Sequence, residues 1–78
     1  MSKTRKLVLD VLKPHQPDAL EFSTALANLG ADYRVRLIVT EVDKKTESTI
    51  VTIEGADIHF DGIKDAIEKM GASVHSID

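Results

Sequence analysis

Apolar residues recur at steps of three and four in two stretches of the chain. Ala19, Phe22, Leu26 and Leu29 form one set; Phe60, Ile63, Ile67 and Met70 form the other. Each spacing puts its set on one face of a helix. Four runs around them read as strands: residues 6–13, 33–43, 47–55 and 72–78. The order is β-α-β-β-α-β. It predicts an α+β ferredoxin-like two-layer sandwich, a single domain over residues 1–78, with antiparallel sheet order 4-1-3-2. Both helices of that fold cover one sheet face, so the other face stands open.

Alternation divides the strands between the faces. Leu7, Leu9 and Val11 are purely apolar and are assigned to the helix side, with Val8, Asp10 and Leu12 on the open side. Val51 and Ile53 point inward, with Ile50, Thr52 and Glu54 outward. The second strand carries Val35, Leu37 and Val39 on one face. Arg36, Ile38, Thr40 and Val42 lie on the other, so both faces are expected to be at least partly covered. Asp18 or Gln16 can cap the first helix, near Pro17. Gly30 and Gly71 are expected to end the helices. Asp65 and Lys69 form a supportive i,i+4 pair.

This assignment places Val8, Leu12, Ile38, Val42 and Ile50 together on the open face. Scattered surface apolar groups need no explanation, but five on one small sheet favour a protein–protein surface. A homo-oligomer is the simplest partner, because the chain then supplies its own complement.

The chain has 78 residues, so it buries only about 60 % of the surface its unfolded form exposes. Domains of this size gain from assembly, metals or disulfides. With no cysteine, disulfides and thiolate metal sites are excluded. No apolar run approaches the ~20 residues that span a bilayer. Residues 1–5 read as a short flexible start. A net charge of −3 and only three aromatic residues argue against nucleic-acid binding through Lys3, Arg5, Lys6, Arg34 and Arg36.

Asp10 is the odd residue of an apolar strand, and a buried carboxylate needs a partner. Glu54 and His75 could flank it, and the three could hold a divalent cation such as calcium. The plainer reading is a salt-bridged surface cluster with Arg36. Asp43 and Glu47 flank the hairpin and form an alternative cation site, although a dedicated calcium loop has more regular ligand spacing. A solvated turn is the plainer reading there. His15, His59 and His75 lack helical metal spacing. No catalytic triad or phosphate loop is recognisable, so no catalytic residue is assigned.

Known uses of this architecture find little support. Strands one and three lack the aromatics on which RNA-recognition motifs stack bases. The metal-carrier Cys-x-x-Cys pair is missing. The loop Lys13-Pro-His-Gln-Pro17 lacks the arginine of an acylphosphatase and the glycine common after strand one in ACT-type sensors.

Two segments resemble a known family. Val8-Leu-Asp-Val-Leu-Lys-Pro-His15, followed by Pro17, is similar to the opening of the archaeal domain of unknown function 211 family. Val51-Thr-Ile-Glu-Gly55, Phe60-Asp61 with Ile63-Lys64, and Val74-His-Ser-Ile-Asp78 are similar to its second half. The resemblance implies a ferredoxin-like fold, a cytoplasmic location and a homo-oligomer, ring-like forms included. It implies no established activity. His59 stands at what looks like an acidic helix-start position, and Gly62 replaces a helix former. Both weaken the expected first turn of the second helix. The family is expected to run a few residues beyond Asp78.

These readings converge on a non-enzymatic homo-oligomeric binding or regulatory module, for which a divalent cation such as calcium or a small ligand is a candidate and no cofactor is established. The alternative is a small metal-dependent enzyme using the open-face carboxylates.

Overall fold

The computed structural model describes residues 3–77. Strand β1 spans Lys6–Pro14, α1 Ala19–Ala27, β2 Arg34–Val42, β3 Thr46–Glu54, α2 Phe60–Lys69 and β4 Ser73–Ile77. All pairings are antiparallel, in the order β2-β3-β1-β4. This is the expected ferredoxin-like order, read from the opposite edge. Thr4 and Arg5, expected in a flexible start, are tied down: the amides of Ile58 and Gly55 donate to their carbonyls. Met1 and Ser2 of that start, and Asp78 of the last expected strand, lie outside the described residues.

The core follows the alternation. Leu7, Leu9 and Val11 of β1 are buried with Val51 and Ile53 of β3. Phe22 and Leu26 of α1 and Ile63 and Ile67 of α2 close over them. Helix α1 lies against β2 and α2 against β4. Asp18 caps α1 by accepting from the Glu21 amide at 2.8 Å, and Lys69 pairs with Asp65 at 3.0 Å. Gly71, at φ 86°, takes the left-handed conformation that ends α2.

Several expectations need correction. Helix α1 stops at Ala27 with Asn28 as its C-cap, so Leu29 falls outside the helix and is exposed. Gly30 does not have a positive φ. Its missing side chain instead makes room for Tyr33, whose ring would lie 2.5 Å from a Cβ there. The Tyr33 hydroxyl accepts from the His59 amide at 3.1 Å, which pins the ring. Phe60 and Met70, at the ends of the second stripe, are only half-buried. Strand β2 is an edge strand, half-buried on its helix side at Val35 and Leu37 and exposed on the other. In the single chain its two-sided apolar pattern therefore lacks two-sided cover.

The two glycines should respond oppositely to alanine. At Gly62, in the first turn of α2, a Cβ meets nothing within 4 Å. Gly62→Ala should stabilise the fold by about 0.5–1 kcal/mol through helix propensity. Gly30→Ala should destabilise it by about 1–3 kcal/mol, the scale of overpacking. Urea titration checks both signs; a stabilising Gly30→Ala would contradict the Tyr33 packing.

Candidate functional site

The open face is built in rows by strand register. Asp10, Ile50 and Ile38 stand side by side across β1, β3 and β2. The next row toward the β2–β3 hairpin is Leu12, Ser48 and Glu41. The next row away from it is Val8, Thr52 and Arg36, followed by Lys6, Glu54 and Arg34. Cross-strand neighbours share a face and touch. The face thus has a centre of Ile38 and Ile50, with Val8 and Leu12 diagonal to it. Basic residues flank one side on β2 and Glu41 the other. Ile38 is 54 % exposed.

Two β-bulges reshape the hairpin half of this face. On β2 the register shifts between Val39 and Glu41, leaving Thr40 as an extra residue. On β4 the pairing passes from Ser76 opposite Asp10 to Val74 opposite Val11, leaving His75 as the extra residue. Bulges re-aim side chains and bend the strand. Here Thr40, Glu41 and His75 line a shallow groove of 330 Å³ with Asp10, Leu12, Ser48 and Ile50. The β2 bulge also corrects the face of Val42. Val42 pairs with Glu47, which shares parity with the buried Thr49, Val51 and Ile53. It therefore leaves the open face to which simple alternation assigned it.

Of the three cation ligands expected on this face, Asp10 and His75 share the groove, and His75 arrives there through its bulge. Glu54 does not join them. It lies four residues from Ile50 along β3, roughly 13 Å at strand rise, opposite Lys6 and Arg34. Among the described residues no three His, Asp or Glu side chains gather as a metal-holding group. The expected ion pair with Arg36 is also not formed: the ion pairs among these residues join Lys13 and His15 to Glu47, His59 to Asp57 and Lys69 to Asp65. Arg36 stands a full row from Asp10.

A denser polar cluster lies on the other side of the sheet. Lys13 continues the inward parity of Leu7, Leu9 and Val11, and its side chain is fully buried. Its Nζ donates to the Pro14 carbonyl at 2.8 Å and to Glu47 Oε1 at 3.0 Å. It also sits 6.0 Å from the centroid of the Phe22 ring, at the limit of cation–π range. Glu47 Oε2 lies 2.9 Å from His15 Nδ1, and His15 Nε2 lies 2.9 Å from the Lys44 carbonyl. The Glu47 carboxylate and the Lys44 carbonyl hold the His15 pKa above its ordinary value. His15 and then Lys13 hold Glu47 below its own. Because one Glu47 oxygen accepts from the Lys13 ammonium and the other faces His15, the expected Asp43–Glu47 cation site is not assembled. The signal for this cluster was present in the sequence. Period-two alternation runs through Lys13, where its charge disguised the inward position.

Among the described residues no helix is long and apolar enough to cross a membrane. A family model described as Uncharacterized ArCR matches residues 5–78. An uncharacterized protein of Methanocaldococcus jannaschii is 44 % identical over 78 residues, covering the whole of this chain and 80 % of that relative. Matches of this extent and identity place the chain as a member: it belongs to the domain of unknown function 211 family, the Uncharacterized ArCR proteins.

Proposed function

We propose that this protein is a non-enzymatic homo-oligomeric binding or regulatory module that self-associates through the helix-free face of its sheet. The observation that carries the reading is the paired Ile38 and Ile50 at the centre of that face, with Ile38 more than half exposed. Val8 and Leu12 extend the apolar centre on β1. Charge order supports a second copy as the occupant. Arg36 lies on one side of the isoleucine row and Glu41 on the other. A two-fold copy meets its own patch, so each Arg36 can approach the partner's Glu41. The cluster of Lys13, His15 and Glu47 is consistent with a non-catalytic role, since its groups are spent on one another. Light scattering of the wild type and of Ile38→Asp tests the reading; a monomer at tens of micromolar wild type would remove it.

A second reading rests on Asp10 and His75 sharing one groove. A divalent cation such as calcium could be held there, with the hydroxyls of Thr40 and Ser48 nearby. Such a site would serve binding, or metal-dependent chemistry. Millimolar calcium should then raise the melting temperature, because a ligand of the folded state stabilises it. Asp10→Asn should abolish the rise. An unchanged wild-type melting temperature would count against the cation.

A further inference from the structure

His15 stands between two acceptors. Its Nδ1 faces Glu47 Oε2 and its Nε2 faces the Lys44 carbonyl oxygen, each at 2.9 Å. The carbonyl can only accept. The carboxylate, already accepting from the Lys13 ammonium through its other oxygen, also acts as an acceptor. A neutral imidazole carries one N–H, so it satisfies one contact and sets lone pair against lone pair at the other. Only the imidazolium donates to both.

We infer that His15 is a protonation-dependent latch, holding the β2–β3 hairpin against the end of β1 when charged and releasing it when neutral. The latch joins three parts of the chain: His15 follows β1, Lys44 lies in the hairpin, and Glu47 opens β3. The groups around it are accounted for. Glu47 faces it from β3, and Lys13 of β1 shares that carboxylate. The hairpin presents the backbone of Lys44 and Asp43. From α1, the neighbour of the Lys13 ammonium is the uncharged Phe22. Ser48 follows Glu47, and Glu41 pairs with Ser48 across the hairpin.

The pH range follows from the two shifts. His15 is raised above 6.5, so its contribution is complete below that value and fades as pH rises through the raised pKa. Glu47 is lowered below 4.5, so its contribution is complete above that value and fades as pH falls through the lowered pKa. The latch is closed on the acid side of the raised His15 pKa while Glu47 stays ionised, and it opens as pH rises through that pKa.

The test follows the wild-type protein from about pH 6 to about pH 9, across and above the histidine range. Ring-nitrogen NMR reads the protonation of His15. Amide exchange, corrected for its intrinsic pH dependence, reads the Asp43 N–H, which closes the hairpin by donating to the Thr46 carbonyl at 2.8 Å. Protection should fall at least about tenfold as His15 loses its proton, the scale of one hydrogen bond to a charged group. Glu47→Gln separates this from general alkaline loosening. Its carboxamide donates to Nδ1 of neutral His15, while its oxygen still accepts from Lys13. The His15 midpoint should drop, and hairpin protection should become flat over the same range. If Glu47→Gln does not fold, His15→Gln, which lacks the titrating group, must show flat protection. Unchanged wild-type protection through the His15 titration would overturn the latch, as would a wild-type-like loss in either variant.

Discussion

Phe22→Ala is expected to leave no stable folded monomer. Phe22 is fully buried where α1 closes over the sheet, among Leu26, Val51 and Ile53. Truncating a buried phenylalanine costs about 3–5 kcal/mol in lost transfer energy and cavity. A single core in a chain this small rarely supplies more than about 3–5 kcal/mol. The loss is therefore comparable to the whole stability of the isolated domain. It also removes the ring beside the Lys13 ammonium. Leu20→Ala on the same helix is the control. Leu20 is mostly exposed, so its truncation should change stability by less than ~0.5 kcal/mol. Circular dichroism with urea titration reads both variants. Equal effects would contradict the packing of α1. Phe60→Ala should fall between them, because Phe60 is half-buried at the start of its helix.

Ile38→Asp is expected to dissociate the assembly while leaving each fold intact. Ile38 points away from both helices, so a carboxylate there is solvated in the monomer. In the proposed assembly it would enter the apolar centre beside Ile50. A charge buried without a partner costs several kcal/mol, enough to shift self-association by more than about a hundredfold at 1.4 kcal/mol per decade. Val42→Asp serves as a comparison. The bulge at Thr40 turns Val42 off this face, so its effect on assembly should be much smaller. Light scattering reads subunit number, and circular dichroism confirms that both variants fold. Equal dissociation by the two variants would contradict the face assignment.

The element order, the strand order and most of the core were legible because they rest on simple periods. Leu7, Leu9, Val11, Val51 and Ile53 alternate cleanly, and Phe22, Leu26, Ile63 and Ile67 recur at helical spacing. What alternation missed were departures from period two. One inserted residue, Thr40, moves Val42 to the opposite face, and another, His75, reaches the groove although Asp10 pairs with Ser76. Neither insertion leaves a Gly or Pro mark in the sequence. Glu54 had suitable parity for the open face but the wrong height along β3. Lys13 has the inward parity of Leu7, Leu9 and Val11, but its charge is not a mark of a buried position. The buried ammonium is tolerable because Glu47 and the Pro14 carbonyl meet it, and those partners become neighbours only once the hairpin closes. Gly30 read as a helix terminator, but its role is to admit the ring of Tyr33.

A second copy of the chain is expected to cover the helix-free sheet face. Native mass spectrometry of the wild-type protein at tens of micromolar tests it most directly. Species at integer multiples of the 8.6 kDa chain mass are expected, collapsing to the single chain in Ile38→Asp. A wild type that flies only as the 8.6 kDa monomer would contradict it.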